Sequence, residues 1–245
     1  EHCNTTVPLL RMNKFVWTSD ETFEAKAQLS HDGEKPLTAT CNWKITGQNG
    51  RIISKGTFGE HTFGLGSLTD LGTVRMKPGS VDEAQKLTVA IEVEGTAFHN
   101  QWEIWVYPAS MPEVNTPEVL VTDKLDSEAK KRLEEGGKVL LQAGELGTKE
   151  TSVSVNFYPL KWSLTWFPGQ GKTCIGMLLK NEHPAFDHFP TANHSDWQWE
   201  TISDGTKGFI LNEMPASYKP IAQPVDDFHR NNKLGSIFEL KVGKG

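Results

Sequence analysis

The first 108 residues alternate between apolar and polar positions with a period of two, the pattern of strands that bury one face. Apolar side chains occupy every second position from Phe23 to Leu29, and the same spacing returns from Leu87 to Val93. Between these runs, the sequence from Gly47 to Gly50 predicts a tight hairpin turn. About seven short strands with turn signals every ~8–12 residues are typical of an antiparallel sandwich of the immunoglobulin type. We therefore predict such a sandwich over residues 1–108.

The pattern changes after residue 108. The apolar run Val119–Thr122 predicts a short buried strand, and a second one begins at Val139. Between them, Ser127 can cap a helix. A strand, a helix and a strand at this spacing predict a βαβ unit, in which the two strands are parallel. We therefore predict that residues 109–245 form an α/β domain with a mainly parallel sheet.

Four later segments are also strand-like, although they are less regular: 152–157, 209–211, 221–225 and 234–242. The segment 226–232 carries two aspartates and an arginine, a combination that predicts a solvated, charge-paired turn or short helix rather than a catalytic set. The sequence stops at a fresh turn signal just after the last of these strands. We therefore expect a piece of a longer protein, with the α/β domain truncated at its C-terminal end.

Composition and charge narrow the classes of partner. The formal net charge of -6 argues against nucleic acid or an anionic membrane as the main partner. No apolar run approaches the ~20 residues that cross a bilayer, so we predict no membrane span. The three cysteines are far apart, which argues against a disulfide framework and leaves a single bridge open. The segment Gly169–Thr173 lacks the spacing of a phosphate-binding loop, and no cofactor is expected.

Tryptophan is abundant, with eight residues in the chain. Six of them fall in closely spaced pairs: Trp102/Trp105, Trp162/Trp166 and Trp197/Trp199. An indole face can stack on the apolar face of a sugar ring, so this abundance favours a protein that handles carbohydrate. The alternative is that the rings anchor cores and interfaces, because an aromatic side chain buries a large apolar area.

The segment from His183 to Trp199 concentrates more potential chemistry than any other. It holds three histidines, two aspartates, two prolines, two phenylalanines and two tryptophans in seventeen positions. On a helix capped by Ser195 or Asp196, Trp197 and Trp199 would point to different faces, one into the core and one towards a groove or a neighbouring domain. We predict that any sugar bound here contacts Trp197 or Trp199, with Asp196 or His194 beside it.

Two other chemistries remain open for this half of the chain. Cys174 lies near the pattern of the sharp turn that carries the nucleophile of amidotransferase-like domains, although Lys172 stands where that turn needs a small residue. A cysteine-dependent hydrolase would pair Cys174 with one of three histidines: His183, His188 or His194. A metal site would use those histidines with Asp187, but Pro184 and Pro190 oppose the helix that would gather them. We expect no metal site.

Several phrases spread over most of the chain carry a resemblance to a known family. They are 14–17, 100–108, 183–186, 189–191, 194–199 and 234–245. Together they resemble the C-terminal region of bacterial glycoside hydrolase family 2 proteins, the β-galactosidase-like group. In such proteins an immunoglobulin-like sandwich follows the catalytic barrel, and a flavodoxin-like or class I amidotransferase-like α/β domain follows the sandwich.

The resemblance also implies what this chain lacks. The family's two catalytic glutamates lie on a (β/α)₈ barrel of ~250 residues, which does not fit beside the antiparallel strands. We therefore expect no catalytic residue here, but a non-catalytic fragment that supports the barrel, mediates assembly or binds carbohydrate. Its partner would be the remainder of the parent hydrolase, which cleaves O-glycosidic bonds. By the same resemblance, the parent would be periplasmic or secreted.

Overall fold

The computed structural model describes residues 4–79, 81–111, 116–157, 166–171 and 173–245. Strands dominate these residues, and most of the strand pairs are antiparallel. The chain divides into two compact units, residues 1–111 and 112–245. The protein is therefore a β-rich chain of more than one domain, and each unit is described by itself.

The described residues of the first unit form eight strands in two sheets. The strands are β1 (Thr6–Arg11), β2 (Val16–Thr18), β3 (Phe23–His31), β4 (Leu37–Gly47), β5 (Ile52–Phe63), β6 (Ser67–Met76), β7 (Gln85–Val93) and β8 (His99–Tyr107). One sheet has the order β1-β3-β6, and the other has the order β2-β8-β7-β4-β5. Every pair is antiparallel except β2 with β8, which is parallel.

The alternating pattern places the core of this unit between the two sheets. The apolar positions of β3 from Phe23 to Leu29 are all at most 1% exposed, and those of β7 from Leu87 to Val93 are all buried. Both predictions of inward-facing residues are thus confirmed. Phe23 and Val74, from one sheet, belong to the same buried cluster as Ile45 and Val89 from the other sheet. The two sheets therefore share one core, as in a sandwich.

The predicted hairpin joins β4 to β5. The backbone N–H of Gly47 donates to the carbonyl oxygen of Arg51, and Gly50 takes a positive φ of 76°, which a glycine adopts without strain. The β4–β5 register shifts twice, between Cys41 and Asn42 and again near the hairpin. The predicted turn is therefore present, whereas the two irregularities were not anticipated.

The second unit consists of shorter elements. Its described strands and helices are β9 (Val119–Thr122), α1 (Ser127–Glu134), β10 (Lys138–Leu141), β11 (Ser152–Val155), β12 (Met177–Leu179), α2 (Trp199–Ser203), β13 (Thr206–Ile210), β14 (Ala222–Pro224) and β15 (Leu234–Gly235). Three 3₁₀ turns accompany them, at Ala143–Leu146, Pro168–Gln170 and Pro184–Phe186.

The βαβ prediction is confirmed, since β9 and β10 are parallel and α1 connects them. The capping residue is Asp126 rather than Ser127, because the Asp126 carboxylate accepts from the backbone N–H of Glu128 and Ala129. Parallel pairing goes no further among the described strands of this unit. The pairs in β11-β13-β15 and β12-β14 are antiparallel. A parallel connection usually contains a helix. The segment between β12 and β13 is long enough for one, but its helix α2 has only five residues.

The strand predicted over residues 234–242 is wrong in its second half. Regular pairing ends at Gly235, and only an isolated bridge from Ile237 to Ala222 follows. Leu240 and Val242 are 47% and 50% exposed, so these residues have no apolar face that a strand would bury. The chain turns instead towards the end of α1, where the N–H of Gly245 donates to the Leu133 oxygen over 2.9 Å.

Within the described ranges, every helix is too short or too polar to cross a lipid bilayer.

The packing of Trp43 on Gly56 gives a test of the first unit. The two residues are opposite each other in β4 and β5, and a Cβ on Gly56 would lie 2.8 Å from the indole. We expect Gly56→Ala to displace the ring and to cost about 1–3 kcal/mol of unfolding free energy in chemical denaturation.

Gly64→Ala is the matched control, because a Cβ there meets nothing within 4 Å. Its effect should stay within about 0.5 kcal/mol. Hydrogen exchange of the β4 amides would show that the unfolding transition affected is that of the first unit. Equal effects of the two substitutions on the unfolding free energy would contradict the proposed packing.

Candidate functional site

The segment from His183 to Trp199 is built around a buried tryptophan. Trp199 is 3% exposed, and its ring meets Phe186 and Phe189 edge-on, at centroid distances of 5.9 and 5.0 Å. Its indole N–H donates to the Thr191 hydroxyl over 2.9 Å. The two phenylalanines thus enclose Trp199 as apolar anchors. In this position Trp199 cannot offer an indole face to a sugar.

A turn at Asp196 leads into α2. Its carboxylate Oδ1 accepts from the N–H of Gln198 at 3.2 Å, and its backbone oxygen accepts from the N–H of Trp199 at 3.0 Å. The first residue of the helix is Trp199, so Trp197 lies before the helix. The two tryptophans therefore do not lie on two faces of one helix, as the sequence suggested. The N-cap is Gln198, which makes no side-chain capping bond, rather than Ser195 or Asp196. Asp196 serves as a turn former.

Trp197 is the accessible member of the pair. It is 38% exposed, and its ring lies 5.4 Å from that of Phe157 at an interplanar angle of 52°. Phe157 forms part of the wall of an open cleft of about 340 Å³. The polar residues of its lining are Asn156, His194, Ser195 and Ser203. An exposed indole therefore stands next to a cleft that offers hydrogen-bonding groups.

His194 lies on the strand-like segment that pairs with Leu178 of β12. Its Nδ1 is 2.9 Å from Asn193 Oδ1, which favours a proton on Nδ1 and leaves Nε2 as an acceptor. Ser195 Oγ accepts from the N–H of Met177 at 3.1 Å, so the hydroxyl is held at the cleft wall. Among the described residues, the lining includes no carboxylate and no cationic lysine or arginine. The arrangement suits a neutral, hydroxyl-rich ligand, and it lacks the paired carboxylates that hydrolyse a glycosidic bond.

The structure does not gather the histidines for metal binding. Among the described residues, no group of three or more His, Cys, Asp or Glu side chains is placed to hold a metal ion. The Nδ1 atom of His183 accepts from the N–H of Ala185 at 3.2 Å, and its Nε2 lies 3.7 Å from a carboxylate oxygen of Glu239. His183 therefore takes part in local structure.

Cys174 is a buried residue of the second unit's core. It is 1% exposed, and its Sγ lies 3.8 Å from the backbone oxygen of Ser154. Catalytic turns of the amidotransferase type lead from a strand into a helix. Here the chain after Cys174 enters strand β12 instead. Three residues named in the sequence arguments, Cys3, Trp162 and Lys172, lie outside the described part of the chain.

The two aspartates of the segment 226–232 are buried, although Phe228 in the same segment is 63% exposed. Asp226 and Asp227 are 6% and 0% exposed, so the prediction of a solvated face is wrong for these two residues. Charge pairing was predicted and is present, since the guanidinium of Arg230 reaches Asp226 Oδ1 at 2.7 Å. The other oxygen of Asp226 accepts from the N–H of Asn232, and Asp227 accepts from that of His229. The sequence did carry a signal for this turn. Two adjacent aspartates precede an Arg-Asn pair by four residues, and aspartate side chains often accept hydrogen bonds from the backbone of their own turn.

Two protein-family models match the chain. One is described as a domain of unknown function (DUF8487) and matches residues 120–245, more than half of the chain. The other is described as a domain of unknown function (DUF8488) and matches residues 21–108. Each matched range falls within one of the two compact units. No curated protein matches the chain.

Partial likenesses to solved structures also exist. The alkylpurine DNA glycosylase AlkC of Pseudomonas fluorescens, bound to DNA with an abasic site analog, is 12% identical over 42% of this chain and 30% of its own, with a TM-score of 0.33. The sporulation control protein Spo0M of Bacillus subtilis is 9% identical over 42% of this chain and 50% of its own, with a TM-score of 0.35. A family 123 glycoside hydrolase of Clostridium perfringens is 7% identical over 49% of this chain and 30% of its own, with a TM-score of 0.32. This chain thus spans half or less of each, and TM-scores this low carry no argument about fold or function.

The Asp226 network gives a test of the second unit. We expect Asp226→Ala to cost about 3–5 kcal/mol of unfolding free energy, because it leaves the Arg230 guanidinium and a backbone N–H without their acceptor. Asp123→Ala removes an exposed carboxylate and serves as the control, with an effect within about 0.5 kcal/mol. Urea denaturation measures both, and similar costs would show that the buried network adds no stability.

Thiol labelling tests whether Cys174 is reactive. Cys41 and Cys174 are both buried, and burial raises the pKa of the Cys41 thiol to about 11. We expect both to react with iodoacetamide at neutral pH at least roughly 100-fold more slowly than a free model thiol, because reaction needs local opening. Peptide mass spectrometry separates them from Cys3, and labelling in denaturant provides the control. Labelling of Cys174 as fast as the model thiol would restore the cysteine-dependent hydrolase hypothesis.

Proposed function

The chain belongs to the family described as a domain of unknown function (DUF8487), and we propose that it is a non-catalytic accessory region of a glycoside hydrolase that binds carbohydrate beside Trp197. The parent would be a family 2, β-galactosidase-like hydrolase, periplasmic or secreted, whose catalytic glutamates lie outside this chain. The partner of this region would be the catalytic barrel.

The observation that carries the proposal is the exposed indole of Trp197 beside a cleft with neutral polar walls. Phe157 supports the ring from one side, which fixes its orientation before any ligand arrives. A rigid aromatic platform binds at low entropic cost, because few rotatable bonds must be fixed. Sugar rings present a C–H face to such a platform and hydroxyls to the polar groups around it. His194 and Ser195 are placed to meet those hydroxyls.

The strand order of the first unit supports an immunoglobulin-like assignment. If β3 is equated with strand B of that fold, then β4, β5, β6, β7 and β8 correspond to C, C′, E, F and G. The larger sheet then contains the neighbours G, F, C and C′, and the smaller sheet contains B and E. Such sandwiches are common spacers between a catalytic domain and its accessory parts.

The finer proposal for the second unit is a flavodoxin-like or amidotransferase-like α/β domain. The parallel pair β9 and β10, joined by α1, supports it. The antiparallel pairs elsewhere in the unit weigh against a mainly parallel sheet. The proposal of carbohydrate binding does not depend on this assignment, since the cleft lies among β11, β12 and the segment 193–195.

A binding role fits the cleft better than a hydrolytic one. Glycoside hydrolysis needs two carboxyl groups across the scissile bond, and the lining residues that the structure describes include none. The described strands form open sheets of two to five strands rather than an eight-stranded barrel. Cys174 is enclosed in the core and is not presented to a substrate.

Isothermal titration of the 245-residue chain with neutral β-galactoside oligosaccharides tests the proposal. We expect weak but saturable heats. Trp197→Ala should reduce the affinity at least about tenfold, since the stacking of a planar nucleobase on an aromatic side chain is worth roughly 1–3 kcal/mol and a sugar ring covers a similar area of the indole. His194→Ala should have a smaller effect, because it removes one hydrogen bond near the surface.

Phe228→Ala is the control, because Phe228 is a 63% exposed aromatic residue outside the cleft lining. Its affinity should match that of the unmodified chain. Flat heats at millimolar concentrations of every oligosaccharide would remove carbohydrate binding and leave scaffolding as the role of the region.

A further inference from the structure

A second groove in the same unit shares Leu178 with the cleft beside Trp197. Its volume of about 660 Å³ falls within the ~300–1,000 Å³ that is typical of small-molecule sites. The polar residues of its lining are Lys180, Asn193, Tyr218, Lys219, Gln223 and Lys233. In the described part of the chain, the lining thus includes three lysines and no carboxylate, although the formal net charge of the chain is -6.

Two of the ammonium groups are held in place by the backbone. Lys180 Nζ donates to the carbonyl oxygen of Lys219, and Lys233 Nζ donates to that of Pro215 at 2.8 Å. An ammonium group has three N–H donors, so each retains two for a ligand. Because these side chains are already ordered, binding an anion costs little additional side-chain entropy.

The ring of Tyr218 forms an apolar part of the groove. Its hydroxyl donates to the backbone oxygen of Glu239 at 2.8 Å, and Lys233 Nζ lies 5.5 Å from the ring centroid. Burial, and then the charge of Glu239, raise the pKa of the Tyr218 hydroxyl, so it stays a neutral donor. Glu239 is the acidic residue that acts on this ring, and its carboxylate lies 3.7 Å from His183.

From this arrangement we infer that the groove binds a carboxylate-bearing oligosaccharide, such as a short chain of uronic acids. The inference rests on the proposed carbohydrate-binding function and names a charged substrate class for an adjoining subsite. The carboxylates pair with the lysine ammonium groups, and the sugar C–H faces pack on Tyr218 and Leu178. The amides of Asn193 and Gln223 meet the hydroxyls.

The groove is less suited to other anions. Bidentate phosphate recognition uses arginine forks, and helix N-termini also bind phosphate, but the lining residues that the structure describes provide neither. A long polyanion such as a nucleic acid is repelled by the net negative charge of the rest of the chain. A short acidic glycan carries few negative charges, and in the groove these charges lie only beside the lysines.

The test compares a tetramer of galacturonic acid with its fully methyl-esterified form, by titration of the intact chain. The ester keeps the sugar rings and removes the charges. We expect the acid to bind at least about tenfold more tightly than the ester, because each lysine makes a charge-assisted hydrogen bond. The difference should shrink at an ionic strength of about 1 M, where the screening length is ~3 Å.

Lys219→Gln is the informative substitution. It removes an exposed ammonium group and leaves the backbone oxygen that holds Lys180. We expect it to weaken binding of the acid severalfold and to leave binding of the ester unchanged. Lys130→Gln, on the exposed face of α1, removes the same charge elsewhere and should change neither affinity.

Three results would overturn the inference. They are equal affinities for the acid and the ester, equal losses in the Lys219→Gln and Lys130→Gln variants, and binding of an oligothymidine as tight as that of the acid. Neutral β-galactosides and the Trp197→Ala variant report separately on the cleft. Binding of neutral sugars without a preference for the acid would therefore reject this subsite and keep the proposed function.

Discussion

The burial of Trp199 is the constraint on which both proposed sites depend. Its indole is fixed by two phenylalanine rings and one hydrogen bond, and it thereby holds the end of the segment 183–199 against the core. The preceding residues then run beside β12. There the N–H of Leu179 donates to the oxygen of Asn193, and that of Ser195 donates to the oxygen of Met177. Without this anchor, the end of the segment would not be held beside the strand.

Pairing with β12 aligns side chains from three adjacent segments. Leu178 is opposite His194 on one side and opposite Gln223 of β14 on the other. Residues that are directly opposite in neighbouring strands project from the same face of a sheet. The neutral cleft and the basic groove both include Leu178, so they are adjoining parts of one surface. An oligosaccharide with both neutral and acidic sugars would match the two parts together.

The sequence predicted the regular parts of the fold and misjudged the parts that depend on distant partners. The alternation from Phe23 to Leu29 and the βαβ unit are local patterns, and both are present. Whether Asp226 is buried depends on Arg230 and on the strands around it, which periodicity cannot report. The antiparallel pairing of the later strands likewise depends on which strands meet in space, and the periodicity of each segment does not specify that.

The candidate site likewise combines features that local sequence indicates with features that depend on distant partners. Residue types alone drew attention to the stretch that holds Trp197 and His194, because few segments combine aromatic and hydrogen-bonding groups so densely. They did not distinguish the exposed tryptophan from the buried one. That distinction depends on where α2 begins, and on Phe186 and Phe189 lying close enough to enclose Trp199. The three lysines of the groove are spread over 54 positions, and no local motif could have joined them.

The register shifts between β4 and β5 have a consequence for the behaviour of the protein at high concentration. In the described sheet, β5 is the last strand, and its outer backbone groups could pair with a strand of another molecule. The shift beside Cys41 coincides with a left-handed Gly59, and Lys55 and Glu60 are exposed along the strand. A bent and charged border of this kind is a poor template for intermolecular sheets. The irregularities that the alternating pattern did not foretell thus help to keep a long edge strand from nucleating aggregates.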